Sequence, residues 1–304
     1  MMTLFAMLTL AAAVGPIAWL VRTRIAGPRQ WLVATAAAVA VCSSALLAGP
    51  WALLSVYLRP LVGVAMIAAL IVAAYRCAGT PIDADAPRRG DRRRLASRLG
   101  TAGVFGLVLI DACAGRVAPR QTTDLHFPLQ GGMYAVLQGG NSVATNPFHH
   151  WFPSDRFGLD LVKLNGLGNR ARGIAPARLE DYASYDVGVH SPCAGVVQEA
   201  VGDVADNSPG QTDPEHISGN HVLLRCGALR VLLAHLRRGS VTVKADDSIR
   251  SGAIIGRIGN SGNTNEPHLH VSAVAVESAG PRRYAAGVPI TFDGRFLAIN
   301  DVVR

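Results

Sequence analysis

The first third of the chain is apolar in blocks. Residues 2–21, 31–50 and 57–75 carry almost no charge, and each is near the ~20 residues that cross a bilayer. A shorter block, RLGTAGVFGLVLIDACAG, covers about 99–114. Several such blocks in series exclude ordinary buried helices of a soluble domain. The first block lacks a basic n-region and further blocks follow it, so a cleaved signal peptide is not expected. Beyond about residue 125 the texture changes: GVVQEAV, HVLLRC, LRVLLAHL and PHLHVSAV are short runs separated by Gly, Asn, Asp and Pro. These predict many short strands joined by turns. The expected fold class is an N-terminal α-helical membrane region of three to four transmembrane helices plus a C-terminal all-β, antiparallel-sheet domain. The expected division is three transmembrane helices in 1–78, a basic cytoplasmic linker in 79–98, a fourth transmembrane helix in 99–115, and an extracytoplasmic domain in 116–304.

Charge sets the orientation. The first hundred residues hold eleven Arg, no Lys and three Asp, which accounts for the whole net charge of +8. Basic and acidic residues balance in the remainder, so the high pI does not argue for nucleic-acid binding. Arg22, Arg24 and Arg29 lie between the first two blocks, and Arg88, Arg89, Arg92, Arg93, Arg94 and Arg98 between the last two. The positive-inside rule places both loops in the cytoplasm, which puts the chain after residue 115 outside and makes the protein a multi-pass cell-membrane protein. Arg59 beside Pro60 fits the outer end of a tight hairpin. The basic linker reads either as solvated chain or as a site for anionic headgroups.

Candidate chemistry is sought toward the C-terminal side, since all nine histidines lie at or beyond His126. His268 and His270 flank one leucine at the start of a predicted strand. Side chains two apart on a strand share a face, so both imidazoles serve one place. Cys193 and Cys226 fall on different predicted strands, where an oxidising exterior allows a disulfide. Cys42, Cys77 and Cys113 read as small hydrophobes within or beside the spans.

Taken in order, SGNHVLLRC, LRVLLAHL, GAIIGRIGNSGN and PHLHV resemble the lysostaphin-type, or LytM-type, zinc metallopeptidases of the bacterial cell wall. The resemblance runs from about Leu159 to Ser272, broken by the polar loop DVADNSPGQTDPEHISG, which is expected to border a groove. It implies that His270 binds Zn2+, that His268 acts on the substrate, and that His235 is the catalytic partner of His268. It also implies that Asp160 in RFGLDLVKL is the acidic ligand. The commonest pattern has a histidine four residues before that aspartate; here the position is Arg156, whose guanidinium stays protonated and cannot bind a cation. The histidine pair in ATNPFHHWFPSDRFGLD resembles a variant branch in which the first His ligand is displaced upstream. His149 is then the expected third ligand, with His150 as the alternative.

The implied activity is hydrolysis of peptide bonds in peptidoglycan cross-links or stems by a zinc-activated water, with His235 and His268 sharing proton transfer and stabilisation of the tetrahedral intermediate. Which of the two is the base is not readable from sequence. The implied partners are a peptidoglycan peptide and the membrane, with no nucleic acid; a regulatory protein partner is compatible with the same sequence. The alternative is a catalytically silent relative that binds cell wall or regulates another hydrolase, favoured by Arg156. A third reading, a multispan sensor or transporter, finds little support, since the spans hold hardly any charge beyond Arg59 and Asp111. His126, His190, His216 and His221 are expected in surface or strand packing, and Glu266 is expected to face solvent.

Overall fold

A computed structural model of the chain describes residues 2–23, 28–78, 89–276 and 285–304, with backbone alone at 89–91. Arg24, Arg88 and residues 79–88 of the expected linker lie outside the described residues. Four helices form the N-terminal region: α1 Met2–Arg22, α2 Pro28–Ala48, α3 Leu58–Ala78 and α4 Arg89–Ala114. All four contain a stretch long and apolar enough to cross a membrane. The last begins upstream of residue 99, so Arg92, Arg93, Arg94 and Arg98 lie on its first turns rather than in a separate linker.

Small residues explain how these helices pack. Ala34, Ala37, Ala38, Ala40, Ser44 and Ala45 are the buried side of α2, and small side chains let neighbouring helix backbones approach. Ser44 Oγ also donates 3.0 Å to the carbonyl of Phe105 on α4. The larger apolar side chains Leu4, Leu8, Leu61, Ile67, Leu107 and Ile110 point outward, as lipid-facing positions should.

The remaining chain is β-rich. Its main sheet has the strand order β12-β2-β3-β10-β7-β6-β5-β8 and is antiparallel throughout. Its central strands are β2 Met133–Gln138, β3 Leu159–Leu164, β10 Leu269–Ala275, β7 Leu229–Leu236 and β6 Asn220–Cys226, flanked by β5 Gly195–Val201, β8 Ser248–Ile249 and β12 Val302–Val303. β4 Gly188–His190 pairs with β9 Ile254–Arg257, and β1 Thr123–Leu125 pairs in parallel with β11 Ile290–Phe292. Alternation sorts the faces: Val136, Leu159, Leu161, Leu233, Leu269 and Val271 enter one core with Ile255 and Ile258. Cys193 and Cys226 form a disulfide with Cα atoms 5.9 Å apart, tying the approach to β5 to the end of β6.

Helices and sheet meet at one end of the bundle. The connection between α2 and α3 lays Ala52 and Val56 on Ala135, Val162 and Leu164 of β2 and β3. Backbone bonds from Val56 to Gly168 and from Arg170 to Ala52 secure it, at 3.0 Å each. Arg59 donates to the carbonyls of Leu46 and Asn300, and Arg116 pairs with Asp301 at 3.0 Å. Asp111, one turn from the end of α4, accepts from the Ala144 amide at 2.8 Å. Both charged groups that the sequence places within apolar spans therefore serve this junction. Arg22, Arg29, Arg76, Arg92, Arg93, Arg94 and Arg98 lie toward the opposite helix ends.

Candidate metal centre

The sheet register builds the site. Asp160 on β3 stands directly opposite His270 on β10, and His270 is paired on its other side with Ala234, next to His235. Leu269 is fully buried in the core, so the residues on either side of it turn to the opposite face. That answers why two histidines flank a single leucine.

Three donors converge. His270 Nδ1 lies 3.0 Å and His149 Nε2 3.5 Å from Asp160 Oδ1, and ligand atoms of the three residues all fall within 4.8 Å of one another. A four-coordinate ion bound at ~2.0–2.2 Å holds neighbouring donors roughly 3.3–3.6 Å apart. Two imidazole nitrogens and one carboxylate oxygen are the donor set of a catalytic zinc site, which keeps a further position open. The residues present fit Zn2+, and the three-ligand complex carries a net +1 charge.

Supporting groups orient the two imidazoles of the trio. Asn146 Oδ1 is 2.9 Å from His149 Nδ1, while the Asn146 amide donates to the carbonyls of Arg156 and Gly158. Such a partner fixes which imidazole nitrogen faces the ion. His270 Nε2 lies 3.0 Å from Ser272 Oγ, which donates to Asp155 at 2.8 Å. Gly158 is needed for closeness: a Cβ there would stand 3.0 Å from His270 Cε1 and 3.3 Å from His149 Cγ.

His235 and His268 flank this trio, their ring centroids 4.9 Å apart. His235 closes β7 in the left-handed region, φ 63°, and its Nδ1 lies 2.9 Å from the Ser261 carbonyl. His268 Nδ1 lies 2.9 Å from the Glu266 carbonyl. A carbonyl can only accept, so each Nδ1 carries the proton and Nε2 is the atom left for chemistry. His268 Nε2 is 3.4 Å from Asp160 Oδ1.

Electrostatics divide these groups in the metal-free protein. Burial pushes His235 well below the ordinary histidine range, helped by His268 and His270. For His270, burial opposes the charge, but bonds to Asp155 and Asp160 overcome it and lift the group to about 9. His268 is raised in the same way, against burial, chiefly by Asp160. Burial lowers His149 despite Asp160. Asp160 itself is held well below the usual carboxylate range, because His149, His268 and His270 outweigh its burial.

The other sequence expectations divide. His150 is not among the converging donors; its ring packs edge-on to Trp151, and its Nδ1 is buried without a hydrogen bond. The exposed Arg156 lies over the Phe157 ring. Asp206 and Asn207 of the polar loop bond to the backbone at Asn260. His221 bonds the Gly219 carbonyl and faces Glu199. Glu266 contradicts the solvent-facing expectation: it is buried and grips Arg170 through two bonds of 2.8 and 2.7 Å. A cation sealed in the interior pulls that carboxylate inward. Asn146, Asp155, Ser272 and Arg170 were not anticipated. Ser272, two positions beyond His270, carries the same-face strand spacing that would have found it.

Comparison with known proteins follows this geometry. Residues 181–279 match the model of peptidase family M23. That segment holds His235, His268 and His270; His149 and Asp160 precede it and are brought in by β3 and its approach. No curated protein matches the chain. Similar solved structures include a zinc containing peptidase from Vibrio cholerae, 16% identical with TM-score 0.31, covering 53% of this chain and 37% of that one. The NMR solution structure of lysostaphin is 21% identical with TM-score 0.28, covering 43% and 40%. The SpoIIIAH and SpoIIQ complex is 14% identical with TM-score 0.34, covering 54% and 96%. The chain thus spans 37% and 40% of the first two proteins. Within the β domain, segment 181–279 is thus the part that matches peptidase family M23.

Proposed function

We propose that this protein is a membrane-anchored zinc metalloendopeptidase that hydrolyses peptide bonds of peptidoglycan cross-links or stems. The observation that carries the reading is the convergence of His149, Asp160 and His270 beside His235 and His268. Zn2+, when bound, supplies a Lewis acid for an amide carbonyl and brings the pKa of water toward neutrality.

The chain's own residues do the rest. Asn146, Ser272 and Asp155 hold the imidazoles of His149 and His270 in fixed orientations. His235, kept neutral by burial, accepts a proton at Nε2. His268, whose charged form Asp160 favours against burial, is placed to donate from Nε2 to the oxygen that gains negative charge, and one such donor is worth about 2.7–4 kcal/mol. The low dielectric of the buried site strengthens both interactions.

The domain lies outside the cell on this reading. Two observations support that side: the arginine-bearing helix ends lie away from the β domain, as the positive-inside rule requires, and Cys193–Cys226 is a disulfide, which persists in oxidising compartments. The test is cleavage of purified peptidoglycan by the full chain in detergent. His235→Ala and His268→Ala should keep bound zinc and lose cleavage. Wild-type protein that holds zinc and cuts no cell-wall peptide would instead indicate the silent, wall-binding reading.

A further inference from the structure

The loop that carries His149 exposes several large apolar side chains. Phe148, Trp151 and Phe152 are 52%, 68% and 60% exposed, with Val143 beside them. Among the described residues beyond 115, no other Phe, Tyr or Trp stands among the exposed large hydrophobics. Three aromatic rings left in water within five residues form a patch, and such patches mark a surface that something covers.

The fold says what covers it. Ala144 is bonded to Asp111 in the last turn of α4, and the Asn141 amide donates 2.8 Å to the Gly115 carbonyl just beyond that helix. Ser142 and Thr145 pack so closely on Gly115 that a Cβ there would stand 2.2 and 2.4 Å from their hydroxyls. The segment is therefore seated beside the end of a membrane-crossing helix. Two bonds, Asn146 to Ser142 and His150 to Asn146, coil it tightly. Asn146 and His149 turn inward to the site, which leaves the rings outside. The sheet is oriented to match, since Asp160 shares a face of β3 with Val162 and Leu164, whose side chains meet the α2–α3 connection.

We infer that Phe148, Trp151 and Phe152 rest in the headgroup boundary of the same bilayer that α1–α4 cross, so that the lipid surface covers the outer side of the His149 loop. Aromatic rings favour that boundary, where an apolar body meets a wet edge. The inference rests on the reading of α1–α4 as membrane spans. It is independent of whether the site cuts peptide.

The test uses the full chain reconstituted in phosphatidylcholine vesicles, with and without brominated acyl chains. Trp151 is largely exposed, so Trp151→Phe leaves packing intact, and the difference between wild type and variant isolates its emission from Trp19, Trp31 and Trp51. The expected result is a Trp151 component that shifts to the blue, loses most of its intensity in brominated vesicles and resists iodide. A Trp151 component quenched by iodide and unaffected by bromine, while the other tryptophans respond to bromine, would overturn the lipid contact and leave the spans standing. Tryptophans that ignore bromine in both proteins would overturn the spanning reading and this inference together.

Discussion

Replacing Arg170 by Met should destabilise the β domain around the site. Arg170 is 1% exposed and binds both oxygens of Glu266, itself 4% exposed. Its Nη2 also reaches the Ile174 carbonyl, and its guanidinium lies 5.6 Å from the Tyr182 ring centroid. Removing one partner of a buried pair leaves the other charge unsolvated, at a cost of about 3–5 kcal/mol. The damage reaches the chemistry, because the Glu266 carbonyl holds His268 Nδ1 and accepts from Thr264. It also reaches the membrane junction, because the Arg170 amide donates to Ala52. Thermolysin cleavage of the full chain in detergent reads the open population; about 1.4 kcal/mol is tenfold, so cleavage should accelerate by roughly two to three and a half decades. The double variant Arg170→Met/Glu266→Leu removes both charges and should return most of that stability, since an apolar pair of similar volume is often neutral or better. Equal lability of the double variant and Arg170→Met would refute the argument that an uncompensated buried carboxylate is the cause.

Two further outcomes follow from the groups around the ligands. Asn146→Ala frees the His149 ring to turn, and zinc affinity measured by competition with a chelator should fall about 10–100-fold, the usual cost of losing such a partner. Zinc binding should also depend on pH through His270, which is lifted to about 9 in the metal-free protein and must lose its proton to bind. Affinity should therefore rise by roughly tenfold per pH unit between the ordinary histidine value near ~6.5 and about 9, then level off. The sign for metal-free stability is the reverse: a raised histidine contributes fully below ~6.5, and that contribution disappears as pH climbs through about 9. Thermal melts of chelator-treated protein at pH 6.5 and 9.5 check this, and equal midpoints would contradict it.

Much of the molecule was legible in the sequence because its signals are periodic. Apolar runs of bilayer length give the four helices, and alternation around Leu269 places His268 and His270 on one face. The apolar pattern marks α4 only from about residue 99, because charge marks a break in hydropathy but not in helicity: Arg is a good helix former, and the helix runs on through the cluster at 92–98. Asp160 is singled out by the resemblance, through the Gly158-containing stretch. Choosing between His149 and His150 was not, since adjacent residues in a tight turn point apart and only the Asn146 contact shows which one faces inward. Glu266 illustrates the remaining blind spot. Its fate depends on Arg170, 96 positions away, and no local pattern reports a pairing made across the fold.

On the proposed reading, one Zn2+ is held by His149, Asp160 and His270. Metal analysis of the purified full chain, beside His149→Ala and His150→Ala, tests it most directly. The expected result is about one zinc per chain in wild type and in His150→Ala, with loss of the metal in His149→Ala. Zinc retained by His149→Ala and lost from His150→Ala, or no zinc in the wild-type protein, would contradict it.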